Sequence, residues 1–252
     1  MNRNIFITQL QQETEWDIII IGGGATGLGC AVDAAARGYK TLLLEQYDFA
    51  KGTSSKATKL VHGGVRYLAQ GNIKLVTEAL RERGILLSNA PHVCHTQTFI
   101  IPCYSWWSKL YYGIGLKMYD LMAAKLSLGS TKIVNADYVG QHLPAVKKEG
   151  LKGGVVYTDG QFDDARLAIN LAQTACEQGA AIINYCRVAG FIFLGHAITG
   201  VIAEDVVSNK QYHIKAKAVI NATGVFADVL MKAANDNSAS IAPSQGVHIV
   251  VD

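Results

Sequence analysis

The first 45 residues change twice between strand-like and helix-like hydrophobic patterns. Residues 17–21 are an aspartate and four isoleucines, which is typical of a strand buried on both faces of a parallel sheet. Residues 25–37 are rich in small side chains that favour a closely packed helix, and Gly38 follows where a left-handed helix cap belongs. Residues 40–45 are apolar again. This order predicts a βαβ unit.

Later segments repeat both patterns. Helical periodicity predicts helices over residues 73–88, 109–125 and 163–178. Apolar runs predict strands over residues 98–102, 154–157, 180–186 and 218–221, with a loop over residues 158–162. Turn residues separate three further runs, which predict a β-meander over residues 191–194, 201–207 and 212–217. Residues 247–251 are also strand-like, and we expect the chain to be the front part of a longer protein.

Composition narrows the class of protein. The 252 residues are 50% hydrophobic and 17% charged, which predicts a packed core. A net charge of +3 is too small for the basic surface that nucleic-acid binding needs. Five cysteines, none in a CxxC pair, favour a reducing compartment. Neither a secretory signal nor an Arg-rich transit peptide is visible, so we expect the mature chain to start at Met1.

Three glycines lie between the first predicted strand and the first helix. Gly22, Gly24 and Gly27 form a GxGxxG pattern, which supplies a tight turn, close approach of a pyrophosphate and close packing of helix on strand. The first amides of the helix would face the phosphates. Glu45 lies 18 residues after Gly27, where a carboxylate accepts the hydroxyl hydrogens of a ribose. The unit predicts dinucleotide binding, without separating FAD from NAD.

The segment from Lys51 to Leu68, KGTSSKATKLVHGGVRYL, carries a resemblance. Together with the glycine pattern it resembles the FAD-dependent glycerol-3-phosphate dehydrogenase family. The resemblance continues over essentially the whole chain. It includes Tyr119-Asp120, Asp159-Gly160, residues 163–167, residues 221–224 and residues 246–250.

The resemblance implies an α/β fold, in which a Rossmann-like parallel sheet of the glutathione-reductase type carries a β-meander. It implies an FAD-binding domain over residues 1–90 and 151–235. A partial α+β substrate domain would comprise residues 91–150 and 236–252 and continue beyond the chain. The implied activity is oxidation of sn-glycerol 3-phosphate to dihydroxyacetone phosphate, with electrons passing to a quinone. Two alternatives stay open: an oxidase that uses oxygen, and a truncated FAD-binding fragment without turnover.

The implied FAD site combines the glycine turn with three later segments. Its residues are Gly22, Gly24, Ala25, Thr26, Gly27, Glu45, Gln46, Thr53, Ser54, Ser55, Lys59, Leu60, His62, Gly63, Gly64, Ala222, Thr223 and Gly224. The hydroxyls of residues 53–55 would lie along the path of the isoalloxazine and the pyrophosphate. The alternative is that these hydroxyls cap a helix that starts near Ser55. For residues 221–224, an ordinary strand-to-helix connection is the alternative.

Four residues are candidates for the reaction. The Arg66 guanidinium could hold the substrate phosphate through two hydrogen bonds, with Tyr67 assisting, whereas a surface ion pair is its alternative role. His62 and His248 are candidates to accept the hydroxyl proton, and packing histidines are the alternative. The group His92, Cys94 and His95 fits no standard zinc spacing, so we expect no metal.

An aromatic-rich segment lies beside three lysines. It contains Tyr104, Trp106, Trp107, Tyr111, Tyr112 and Tyr119, with Lys109, Lys117 and Lys125. Such a composition is typical of an interfacial anchor on lipid headgroups. We therefore expect a cytoplasmic protein with peripheral contact to the inner face of the cell membrane. A hydrophobic core, or cover by a C-terminal domain, is the alternative.

Overall fold

The computed structural model describes residues 1–13, 15–64, 67, 70–123, 126–236, 238, 241–244 and 246–247. These residues form two compact units. The first comprises residues 1–58 and 164–252, and the second comprises residues 59–163. The boundaries of these units do not coincide with those of the implied domains, because strands within residues 59–90 and 151–163 pair with one another in the second unit.

The first unit is built on a six-stranded sheet. Its strands are β1 (Trp16–Ile21), β2 (Thr41–Leu44), β7 (Ala181–Ile183), β8 (Cys186–Leu194), β9 (Ala197–Asp205) and β10 (Lys210–Asn221). The strand order is β7-β2-β1-β10-β9-β8. Strands β7, β2, β1 and the end of β10 are parallel, whereas β8, β9 and the start of β10 are antiparallel. The predicted parallel sheet and meander are confirmed, and β10 joins them as one strand.

Helices cover this sheet. They are α1 (Arg3–Gln12), α2 (Ala25–Ala36), α6 (Asp164–Glu177) and α7 (Ala227–Ala233). Alternate residues of β1 enter two cores, with Ile19 and Ile21 in one and Ile20 in the other. Alanines of α2 and α6 share the second core, as the small residues predicted. Gly38 has a φ of +84° after α2, as expected of a left-handed cap.

In the part of the chain that the structure describes, the second unit has a four-stranded sheet and three helices with defined bounds. Strands β3 (Leu60–Val61) and β5 (Lys132–Val134) pair with β6 (Gly153–Phe162), which also pairs with β4 (Cys94–Cys103). The helices are α3 (Ile73–Asn89), α4 (Trp106–Ala123) and α5 (Ala136–His142). The prediction of a loop over residues 158–162 is wrong, because β4 pairs with β6 along its whole length to Phe162. The strand predicted over residues 247–251 lies almost wholly outside the described residues.

Candidate functional site

The turn after β1 leaves no room for side chains. Gly22 has a φ of +113°, and an added Cβ would lie 2.5 Å from the carbonyl oxygen of Ala222. A Cβ on Gly27 would lie 1.9 Å from the carbonyl oxygen of Gly22, and one on Gly24 would lie 3.0 Å from Ser54 Oγ. Backbone therefore packs against backbone at the carboxyl end of the parallel strands, as the GxGxxG pattern predicted.

The Ser54 hydroxyl lies at the amino-terminal end of α2. Its Oγ accepts a hydrogen bond of 2.9 Å from the backbone N–H of Ala25, the first residue of the helix. Residues 53–55 form a short 3₁₀ turn. The first amides of an α-helix have no partner within the helix and attract anions. The Ser54 hydroxyl and the first amides of α2 thus converge where the resemblance implies the pyrophosphate.

Glu45 follows β2 at the same sheet edge. Its Oε2 accepts from the Gly23 N–H at 2.6 Å, and its Oε1 accepts from the Tyr47 N–H at 2.8 Å. These bonds hold the half-buried carboxylate beside the glycine turn. Gln46 follows it and is also half-buried. A carboxylate fixed there fits the recognition of a ribose and disfavours a phosphate on that ribose.

Residues 222–224 lie beside the glycine turn, because β1 and β10 are parallel neighbours. Ile21 pairs with Asn221, and the Ala222 N–H donates to the Ile21 carbonyl at 2.8 Å. Gly224 has a φ of +56° and begins a short 3₁₀ turn before α7. The glycines, the start of α2, Ser54 and Glu45 together form a cradle that fits a dinucleotide. Within the first unit, the structure thus brings together the residues predicted for that role.

The second unit contains a cavity of about 380 Å³. Its lining residues are Leu60, His62, Gly64, Tyr67, Phe99, Tyr157 and Asp159. The rings of Phe99 and Tyr157 are stacked with centroids 5.3 Å apart. Burial, and then the Asp159 charge, raise the pKa of Tyr157, so its phenol stays protonated at neutral pH. The cavity therefore combines aromatic walls with a carboxylate and an imidazole.

His62 is held by the loop that follows β3. Its Nδ1 accepts a hydrogen bond of 3.0 Å from the Gly64 N–H. A neutral imidazole in this arrangement carries its proton on Nε2. Lys59, with a φ of +62°, directly precedes β3, which begins at Leu60. The structure thus brings His62, Leu60, Gly64 and Tyr67 to one cavity, whereas Arg66 and His248 lie outside the described residues.

Sequence reasoning missed a buried polar group beneath this loop. Arg83 Nη1 lies 2.8 Å from Asp159 Oδ1, and the Tyr119 hydroxyl donates to Asp159 Oδ2 at 2.8 Å. All three side chains are buried. The sequence offered two signals: Asp159 stands in a segment that resembles the family, and Arg83 falls on the apolar face of the predicted helix α3. Neither signal was enough to assign a role to Arg83 or Asp159.

The aromatic segment is mostly exposed on α4. Trp107 is 81% exposed and Leu121 is 79% exposed, and Leu110, Tyr111 and Ile114 are exposed between them at helical spacing. Tyr119 is the exception, since it is buried, and Lys125 lies outside the described residues. In the described part of the chain, no helix combines the length and the apolar character needed to cross a membrane.

Three comparisons place this geometry among known proteins. Residues 17–252 match the family described as FAD dependent oxidoreductase. The mitochondrial glycerol-3-phosphate dehydrogenase of Homo sapiens is 43% identical over 99% of this chain and 36% of its own length. That of Schizosaccharomyces pombe is 38% identical over 99% of this chain and 41% of its own length. The chain therefore spans about two fifths or less of these relatives.

A solved structure shares the fold. The glycerol-3-phosphate dehydrogenase from Bacillus halodurans, complexed with FAD, is 34% identical, with a TM-score of 0.72 over 92% of this chain and 38% of that one. The L-proline dehydrogenase from P. horikoshii has a TM-score of 0.70 at 19% identity, which shows the fold alone. The predicted fold class is thereby confirmed.

Proposed function

This chain belongs to the FAD-dependent oxidoreductase family, and from that premise we propose that it serves the oxidation of sn-glycerol 3-phosphate to dihydroxyacetone phosphate. Family membership confirms FAD as the predicted cofactor. The observation that carries the proposal is similarity over 99% of the chain to proteins named glycerol-3-phosphate dehydrogenase. The dinucleotide cradle independently supports the binding of FAD, which this reaction requires.

Different residues of the cradle would bind different parts of the cofactor. The α2 amides and Ser54 would receive the pyrophosphate, and Glu45 would receive the ribose hydroxyls. Bound FAD supplies the acceptor for the hydride. The protein's own part is to orient the alcohol and to take its hydroxyl proton.

Four residues would serve the substrate. Arg66 would hold the phosphate, with Tyr67 assisting, and His62 or His248 would accept the proton. Support comes from the cavity that His62 and Tyr67 line and from the resemblance of KLVHGGVRYL. Arg66→Ala should raise the KM for glycerol 3-phosphate strongly, whereas unaltered kinetics would contradict its role.

Electrons would pass from the flavin to a quinone, and the relatives' names include dehydrogenase rather than oxidase. An oxidase would return the same electrons to oxygen and form hydrogen peroxide. Measuring peroxide yield against quinone reduction separates these two acceptors.

Peripheral membrane contact is the part of the proposal that rests on α4. Its exposed apolar face is flanked by Lys117, and Lys109 lies over the Trp106 ring at 5.2 Å. Aromatic and basic side chains together favour the headgroup region of an anionic bilayer. Association at the inner, cytoplasmic face of the cell membrane would bring the flavoprotein to its quinone. Vesicles containing anionic lipid should carry the protein in flotation, and Trp107→Ser should weaken this.

One experiment tests the reaction itself. The FAD-loaded chain is kept anaerobic while sn-glycerol 3-phosphate is added, and the flavin bands are recorded. Bleaching with this substrate, and none with glycerol, is expected. Bound flavin that does not bleach would favour the alternative of a truncated FAD-binding fragment without turnover. A well-folded chain that binds no FAD would overturn the proposal.

A further inference from the structure

The loop that carries His62 is attached to a buried tyrosine. The Gly63 N–H donates to the Tyr119 hydroxyl oxygen at 2.6 Å. A Cβ on Gly63 would lie 2.7 Å from that oxygen and 2.6 Å from Leu80 Cδ2. The backbone at Gly63 therefore rests directly on the phenol, and no other residue type fits there without displacing it.

The phenol is itself fixed in direction. Tyr119 is 1% exposed, and its hydroxyl donates to Asp159 Oδ2 while it accepts from Gly63. Burial, followed by the Asp159 charge, raises the pKa of Tyr119 far above its ordinary value. The phenol thus stays protonated, and it can serve as donor and acceptor at once.

A buried ion pair fixes the carboxylate in turn. Asp159 Oδ1 accepts from Arg83 Nη1 at 2.8 Å and from the Gly160 N–H at 3.1 Å. Arg83 Nη2 also donates to the Leu126 carbonyl at 3.3 Å. Desolvating two charges is costly, and an apolar pair of similar size often stabilises a fold as well. Stability alone does not account for a chain of polar contacts that ends on a loop amide.

We propose that Tyr119 is a positioning residue, which fixes the Gly63–Gly64 backbone and through it the imidazole of His62. Helix α3 supplies Arg83, strand β6 supplies Asp159, and helix α4 supplies Tyr119. The last link is the Gly64 N–H, which donates to His62 Nδ1 and keeps the proton of the neutral imidazole on Nε2. The consequence for catalysis rests on the proposed function, whereas the positioning itself does not.

Hydrogen exchange of the Gly63 amide tests the positioning directly. Although Gly63 lies in a loop, its amide should exchange in the native chain as slowly as that of Val155 in strand β6. Tyr119→Phe removes only the hydroxyl, and it should speed exchange of Gly63 at least about tenfold, the effect of losing one hydrogen bond. Tyr104→Phe is the matched control, because it removes a phenol that donates to the exposed Lys147 carbonyl.

Three results of the exchange experiment would count against the proposal. Fast exchange of Gly63 in the unaltered chain would overturn the proposal, and that measurement needs no variant. Equal Gly63 exchange in the Tyr119→Phe and Tyr104→Phe chains would overturn it as well. Faster exchange throughout strands β4 and β6 would show a purely structural role, and would also count against it.

The imidazole gives a second signature. Nitrogen-15 spectra of His62 should show the Nε2–H tautomer in the unaltered chain and a mixture after Tyr119→Phe. If the proposed function holds, this variant should lower kcat about tenfold or more. An unchanged tautomer with unchanged kcat would overturn the proposal. An unaltered chain that is inactive, but shows the exchange and tautomer effects, would contradict the proposed function alone.

Discussion

Gly27→Ala is the substitution that the glycine turn makes most informative. The new Cβ would lie 1.9 Å from the carbonyl oxygen of Gly22 and 3.3 Å from Ala222 Cβ. Real Cβ atoms do not approach a carbonyl oxygen so closely, so helix α2 must move away from β1. Gly29 lies two residues further along the same helix, and a Cβ there meets nothing within 4 Å. Gly29→Ala is therefore the matched control.

The magnitude follows from comparing the two variants. Alanine is favoured over glycine within a helix by about 1 kcal/mol, and this gain is common to both substitutions. Overpacking against fixed backbone costs about 1–3 kcal/mol and applies only at Gly27. The free energy of unfolding of Gly27→Ala should therefore lie about 1–3 kcal/mol below that of Gly29→Ala.

The same movement should weaken FAD binding. Displacing the α2 amides from the pyrophosphate would cost about one charge-assisted hydrogen bond, or about 1.5–3 kcal/mol. This corresponds to a Kd about 10- to 150-fold higher. Gly29→Ala, whose side chain points into open space, should bind FAD like the unaltered chain.

Two assays measure these effects. Urea denaturation followed by circular dichroism and by the fluorescence of buried Trp16 gives the free energies of unfolding. Titration of the chain with FAD, followed by quenching of flavin fluorescence, gives the Kd. Equal stability and equal FAD affinity of the two variants would refute the close approach of α2 to the glycine turn.

Three further predictions concern buried polar groups. Asp205→Asn should lower the free energy of unfolding at pH 7 by about 2 kcal/mol. Burial raises the pKa of Asp205, but hydrogen bonds, of which the one from Arg3 is the strongest, lower this pKa from 3.8 to about 2. A lowered pKa stabilises above about pH 4 and loses its effect as the pH falls to about 2, so urea curves that do not converge there would contradict this. Burial, and then the Asp205 charge, raise the pKa of Cys186 to about 12, so alkylation of the native chain at pH 8 should spare this thiol. Its modification before unfolding, seen by mass spectrometry, would contradict that. Asp159→Ala should lower the free energy of unfolding by about 3–5 kcal/mol, because it leaves Arg83 buried without its partner carboxylate. Glu204→Ala, which removes one partner of an exposed ion pair, should lower it by less than about 1 kcal/mol. Similar losses of unfolding free energy for the two variants in urea denaturation would argue against the buried pair.

The βαβ unit could be predicted because its signals are local. A continuous apolar run, glycines at fixed spacing and small helix residues each specify their own element, and β1 and α2 begin and end within one residue of expectation. Glu45 followed from the same spacing. The dinucleotide cradle is thus readable from consecutive residues.

The structure of the second unit could be predicted less well, because it depends on contacts between residues that are distant in sequence. Residues 158–162 contain Asp159 and two polar neighbours, which favours a loop, but pairing with β4 continues the strand. Helix α5 has only seven residues, and its Asn135 cap was not singled out. Short elements and strand ends are decided by tertiary pairing rather than by propensity.

The polar group beneath His62 could not be predicted for the same reason. Arg83, Tyr119 and Asp159 are separated by 36 and 40 residues in sequence, so no spacing brings them together. Tyr119 was grouped with the exposed aromatic residues of α4, and its burial against α3 removes it from that surface. A tyrosine's face on a helix becomes clear only when the partner helix is known.

Binding of FAD to the purified chain tests the central claim most directly. Equilibrium dialysis with FAD, with the Gly27→Ala chain in parallel, should give one bound flavin per unaltered chain and weaker binding by the variant. A folded chain that retains no flavin at saturating FAD would contradict the account of the cradle formed by the glycine turn, Ser54 and Glu45.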